Sequence, residues 1–225
     1  MGLFFCLLCG LMFLSGCDAK LEQNIWDNVA EYRQFVVFGD NDNMSVTFMC
    51  GKREVDYKSD GVATDLIPFG VITITLDRNI PIDTMNYVLY VGTEKYTGDL
   101  QQNPFDKTLV ADIGKIVDQT QNISIDVILN GEKYSLKLNR IDNDWVVSMH
   151  DCVKIFVDKY KEDIKSFVNK NVFEGEVYLK IIDDYDKHKS DFYFYISFIS
   201  RQGSSISMLI SPKTGEILAS KCNMI

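Results

Sequence analysis

The sequence predicts a mainly β protein: an antiparallel sandwich of immunoglobulin-like architecture, followed by a smaller α+β module of one helix and an antiparallel meander. Three observations carry that prediction. Short apolar segments, about seven of them, recur from residue 35 to about 148, separated by stretches rich in Gly, Asn and Asp. Asn130-Gly131 falls between two alternating runs, a strong hairpin pattern because both residues tolerate positive φ. After His150 the apolar period changes from two to that of a helix.

Taken in order, residues 18–24 are polar and read as a short tether. Asn24–Gln34 carries Ile25, Trp26, Val29 and Ala30 at near-helical spacing, as one or two helical turns feeding the first strand would. Phe35-Val36-Val37-Phe38 is the first apolar run, and Gly39-Asp40-Asn41-Asp42-Asn43 ends it with turn-forming residues. Met44–Cys50 then alternates, with Met44, Val46, Phe48 and Cys50 on one face. Phe69–Leu76, Met85–Val91 and Leu109–Ile113 follow, rich in β-branched and aromatic residues. Ile123–Leu129 and Lys133–Leu138 flank the Asn-Gly turn, and Trp145-Val146-Val147 closes the β region.

The second module opens on a helix. Val153, Phe156, Val157, Tyr160, Ile164, Phe167 and Val168 form one apolar stripe, with Asp151 placed to cap its start. Lys154, Lys159, Lys161, Glu162 and Lys165 stand opposite as a solvated face. Strands are expected at Glu176–Ile182, Phe192–Ser200, Ser205–Ile210 and Glu216–Ser220. Ser211-Pro212-Lys213-Thr214-Gly215 supplies a tight turn between the last two. The expected organisation is a signal segment over 1–16, a tether over 17–24, the sandwich over 25–148 and the α+β module over 149–225.

The N-terminus carries the most specific motif. Gly2–Phe13 is an almost unbroken apolar run and Asp18–Gln23 is abruptly polar. A run of that length suits a secretory segment, since a membrane span needs about 20 apolar residues. Between them, Leu14-Ser15-Gly16-Cys17 resembles the lipobox of bacterial lipoproteins. That resemblance implies a diacylglyceryl group on the Cys17 thiol and cleavage just before it. It also implies residence on the extracytoplasmic face of a bacterial cell membrane, with the lipid as the membrane contact.

A second resemblance lies near the C-terminus. Ile210-Ser211-Pro212-Lys213-Thr214-Gly215-Glu216-Ile217-Leu218 resembles the strand, D-x-x-T-G-E-hydrophobic, strand ending of PepSY-like domains, with Ser211 at the usual Asp. It spans residues 149–225 and implies a non-catalytic extracytoplasmic module. That class occurs in protease propeptides and cell-envelope proteins and is associated with peptidase inhibition.

Composition narrows the partners. With 23 Lys and Arg against 32 Asp and Glu, the net charge is −9. Such a chain lacks the cationic surface whose counterion release drives nucleic-acid binding. A hydrophobic fraction of 46% excludes a disordered polymer. Cys6 and Cys9 belong to the apolar N-terminal run, leaving Cys50, Cys152 and Cys222 with no C-x-x-C spacing. One disulfide plus a free thiol, or three small hydrophobes, would fit; no essential disulfide is expected.

Candidate chemistry is sparse. Counted from Asp40, an EF-hand loop would need an oxygen ligand where Met44 stands and Gly where Ser45 stands, so Asp40–Asn43 reads as a polar turn. Asp183, Asp184, Asp186 and Asp191 form a second acidic loop interleaved with Lys187 and Lys189, read as a hairpin tip. There is no G-x-S-x-G. Cys152 with His150 or His188 could in principle form a dyad, its thiol activated by the helix's first turn, but a small residue beside the apolar stripe is the simpler role. Nothing in the sequence selects a carboxylate pair for glycoside hydrolysis. The longest polar insertion, Gly51–Asp65, presents Lys52, Arg53 and Tyr57 as candidate binding residues.

The expected function is therefore a monomeric, membrane-anchored, non-enzymatic module binding an envelope protein or peptide, with peptidase inhibition implied by the PepSY-like resemblance. No catalytic residue, metal or cofactor is expected. The alternatives are an envelope hydrolase using carboxylates dispersed in sequence and, behind it, a transporter-associated solute-binding lipoprotein.

Overall fold

The computed structural model describes residues 19–56, 58–77, 83–170, 172–183 and 191–225. The protein is mainly antiparallel β, with two helices among the described residues. Its chain divides into two compact units, one of residues 33–53 and 67–144, the other of the flanking and intervening segments.

The first unit is built from strands. The C-terminal part of β1 (Val29–Asp40), β2 (Met44–Glu54), β3 (Leu66–Leu76), β7 (Leu109–Asp112) and β6 (Gln101–Gln102) lie side by side in that order. β5 (Glu94–Asp99), β4 (Met85–Val91), β8 (Ile123–Leu129) and β9 (Glu132–Arg140) form a second antiparallel set. Val37 and Phe38 of β1 pair with Arg140 and Asn139 of β9, which joins the two sets at one edge. Alternation explains the core: Met44, Val46, Phe48 and Cys50 turn inward from β2, Leu89 and Val91 from β4, Ile123, Ile125 and Val127 from β8. All belong to one buried cluster.

Turn chemistry follows the sequence closely. Asn130 (φ 51°) and Gly131 (φ 84°) both adopt the left-handed region that a two-residue hairpin demands. The Asn130 side chain also accepts the Asp83 and Thr84 amides at 2.9 and 3.3 Å. At Asp40–Asn43, Asn41 Oδ1 accepts the amides of Asn43 (2.9 Å) and Met44 (3.1 Å), an Asx turn.

The second unit holds α1 (residues 19–27), the first four residues of β1, the segment 54–66 and everything from Trp145 onward. α2 (Met149–Ser166) buries Cys152, Val153, Phe156, Val157, Tyr160 and Ile164. Its cap is Ser148; Asp151, expected there, completes a capping box from three residues in. The short pair β10 (Val168–Asn169) and β11 (Val172–Phe173) leads into the antiparallel meander β12 (Gly175–Asp183), β13 (Phe192–Ser200), β14 (Ser205–Ile210) and β15 (Ile217–Asn223). β12 also runs parallel to the start of β1, with Val29 opposite Val177 and Glu31 opposite Tyr178.

Three expectations need correction. The tether is folded from residue 19, because Leu21 and Ile25, one helical turn apart, are both buried. Trp145–Val147 is not a strand. Its Val146 and Val147 amides both go to the Pro212 carbonyl, so no ladder forms, and the Trp145 ring meets Phe194 edge-on at 4.8 Å. The boundary between the parts is not one cut near residue 148: residues 25–32 and 54–66, expected in the sandwich, belong with the C-terminal unit.

Candidate functional site

Strand β12 is where apolar alternation is interrupted by chemistry. Gly175–Asp183 points Val177, Leu179 and Ile181 to one face and Glu176, Tyr178, Lys180 and Ile182 to the other. Cross-strand register extends both faces. Val177 lies opposite Phe198, whose ring packs on Phe167 at the C-terminal end of α2, so the first face is the helix-covered one. The second face gathers Glu176, Tyr178, Lys180 and Ile182 with Tyr193, Tyr195, Ser197 and Ile199 of β13, Leu209 of β14 and Glu31 of β1.

Residues 58–65 lie against this second face at Glu176, Tyr178 and the end of β13. Glu54, at the end of β2 and 2% exposed, accepts the Thr64 amide at 2.6 Å and its hydroxyl at 3.1 Å, both on Oε1. Tyr178 Oη lies 3.1 Å from Ser59 Oγ and 3.0 Å from Glu176 Oε1. Gly61 (φ 76°) lies flat on the end of β13: a Cβ there would stand 2.4 Å from the Arg201 nitrogen and 2.5 Å from the Ser200 carbonyl carbon. Only glycine fits that approach.

Glu176 is the buried centre. It is 0% exposed, and its Oε2 meets no hydrogen-bond partner among the described residues. Burial pushes its carboxyl above the usual range, and the negative charges of Glu54 and Asp60 push the same way, against the hydrogen bonds from Tyr178 and the Gly61 amide. Burial likewise pushes the Tyr178 hydroxyl far up. Beside it, Lys180 Nζ pairs with Glu31 at 2.8 Å and lies over the Tyr178 ring.

A second buried carboxylate shows the contrasting case. Asp126 on β8 would be raised by burial, but hydrogen bonds from Lys133 (2.7 Å), Ser135 (2.6 Å) and Tyr90 (3.1 Å) hold it below the usual range. It is a cross-strand clasp of a satisfied carboxylate.

The residues singled out from the sequence are spread apart. Lys52 is exposed on β2. Arg53 is engaged by Asp112 at 2.7 Å and sits over the Phe69 ring. Tyr57, Cys17 and His188 lie outside the described residues. Cys152 does sit in the first turn of α2, yet burial pushes its thiol up to about 12, with Asp151 adding to the rise, so the helix terminus does not activate it. His150 instead stacks on Trp26, ring centroids 5.8 Å apart. Cys50, Cys152 and Cys222 are all free, the first two buried and the third exposed. Among the described residues no group of three His, Cys, Asp or Glu side chains is arranged to hold a metal ion.

Sequence reading passed over Glu54, Glu176 and Tyr178. A charge at an alternate position of a strand normally marks the solvated face. The covering segment 58–65 is what reverses that inference here, and its docking depends on contacts with residues more than a hundred positions away, as Ser59 with Tyr178 shows. Further along the same face Ile182, Tyr193, Tyr195 and Leu209 are half-buried.

No protein family, curated protein or solved structure matches this chain.

Proposed function

We propose that the protein is a lipid-anchored extracytoplasmic binding module that holds a protein or peptide at a bacterial cell envelope and performs no chemistry of its own. The observation that carries the binding reading is the half-buried row of Tyr193, Tyr195, Ile182 and Leu209 on the sheet face opposite α2. Tyrosines on a rigid strand give large contact area at low entropic cost, which is why they dominate recognition surfaces. The meander also ends on β15, which is paired to β14 and exposes six of its seven residues, an edge suited to strand addition.

The anchor reading rests on Leu14-Ser15-Gly16-Cys17. The sandwich is read as immunoglobulin-like in architecture and the helix-plus-meander as PepSY-like, with peptidase inhibition the corresponding expectation. The hydrolase alternative is less well supported: of the two carboxylates near one another on this face, Glu54 is 2% and Glu176 0% exposed, so neither meets a substrate in this structure.

Two measurements test the proposal. Metabolic labelling with palmitate should mark the full chain and be lost in Cys17→Ser; unchanged labelling overturns the anchor. A photo-crosslinking residue at Tyr193 or Tyr195 should trap a discrete adduct in cells, whereas one at Lys95 on β5 should not. Equal adducts from both places, or none from the tyrosine positions, overturn the binding face.

A further inference from the structure

Glu176 poses a physical problem that the binding reading leaves untouched. A carboxylate with no exposure and one unpartnered oxygen is costly when ionised, and Glu54 and Asp60 bring further negative charge to it. The charged groups facing it come from every side of its surroundings. Glu54 from β2 and Asp60 from the covering segment act on it directly, while Glu31 on β1 and Lys180 on its own strand lie further along the same face. Lys180 and Glu31 engage each other at 2.8 Å. Arg201, at the end of β13, meets Gly61 through its backbone while its side chain is exposed.

Two of the three parts of this arrangement are fixed. Glu176 is held by the ladder with Ile199, and Glu54 ends a strand of the sheet. Residues 58–65 are hydrogen-bonded through Ser59, Gly61 and Thr64 to Tyr178, Glu176 and Glu54, and Gly61 also rests on the Ser200–Arg201 backbone. We propose that residues 58–65 are a proton-controlled strap, closed on the sheet while Glu176 is protonated and loosened when Glu176 ionises.

The direction follows from linkage. Closing the strap buries Glu176 and raises its proton affinity, so closure takes up a proton. The closed form is fully favoured below the ordinary carboxylate range and loses that advantage as pH rises through the elevated value for Glu176. Lifting the strap admits water to Oε2 and separates the Thr64 and Gly61 amides from their acceptors. The mechanism is independent of what the tyrosine face binds, although an open strap would enlarge that face.

Hydrogen exchange of the full chain tests this at residue level. Protection of the Gly61 and Thr64 amides, corrected for intrinsic exchange and referenced to Leu89 and Ile125 in the β4–β8 ladder, should fall about tenfold or more between about pH 5 and about pH 8. Glu176→Gln keeps an acceptor for Tyr178 and cannot ionise, so its strap protection should be flat over the same interval. Glu54→Gln removes the neighbouring charge and should shrink the loss. Constant protection in the unmodified chain overturns the proposal, as does a loss of equal size in Glu176→Gln. Should Glu176→Gln not fold, an undiminished loss in Glu54→Gln overturns it instead.

Discussion

Gly61 shows how one missing atom decides local structure. At φ 76° a side chain is already disfavoured by about 1–2 kcal/mol, and here its Cβ would strike backbone, which cannot swing aside. Gly61→Ala is therefore expected to destabilise the protein by more than about 2 kcal/mol and to strip protection from the Thr64 amide. Thermal unfolding with amide exchange checks both, and a stability change under about 0.5 kcal/mol would show that the strap is not docked as described. The same scale separates the two buried carboxylates. Asp126 has three donors and is held below the usual range, while Glu176 has an oxygen with none among the described residues and is raised. Burial is common to both; the donors and the Lys133 charge around Asp126 outweigh it, whereas the negative charges of Glu54 and Asp60 add to it at Glu176.

At the scale of elements, patterns confined to neighbouring residues were readable in advance. The Asn130-Gly131 hairpin, β13 and β14 follow from alternation and turn chemistry alone. The helix stripe of α2 was legible too, but its start was not: Ser148 caps it and Asp151 answers from inside the first turn. Ser148→Ala should cost about 1 kcal/mol, seen as a lowered unfolding midpoint with unchanged helix content at low temperature. A loss near zero would mean the box is idle. Elements missed from sequence have weak local signals. β5, with Glu94, Lys95 and Asp99, is polar along most of its length and exists because β4 pairs with it. Trp145–Val147 has the opposite fault, with strand-like composition but only a turn carbonyl to bond. The candidate site was illegible for a related reason: Glu54, Ser59, Glu176 and Tyr178 acquire meaning only when distant segments meet.

At the scale of the whole molecule, pH should act on stability from two directions. Asp142 is held low by its hydrogen bond from Arg140, and Asp126 by its donors, so the stability they add is present above the ordinary carboxylate range and lost as pH falls through their depressed values. Glu176 acts oppositely, its contribution being full in acid and lost as pH rises. The unfolding midpoint should therefore fall in strong acid, and Glu176→Gln should gain on the unmodified chain progressively between about pH 5 and about pH 8. A constant difference across that interval would show that Glu176 does not titrate within the folded protein's working range. Fragments should respect the observed division rather than a cut at 148. A piece covering 145–225 lacks α1, the strap and the Glu31 partner of Lys180, and it should give the poorly dispersed amide spectrum of an unpacked chain.

The parallel pairing of β1 with β12 has a consequence for the order of events during biosynthesis. Val29 lies beside Val177 in the parallel ladder, so this pairing of an early segment waits for a late one. A polypeptide leaving a ribosome or crossing a membrane N-terminus first cannot close its C-terminal unit until most of its length has emerged. The helix over residues 19–27, with Leu21 and Ile25 buried, belongs to that same unit. Closure of that unit is thus a late event, whereas the unit of residues 33–53 and 67–144 has all its strands in hand before residue 145 is made.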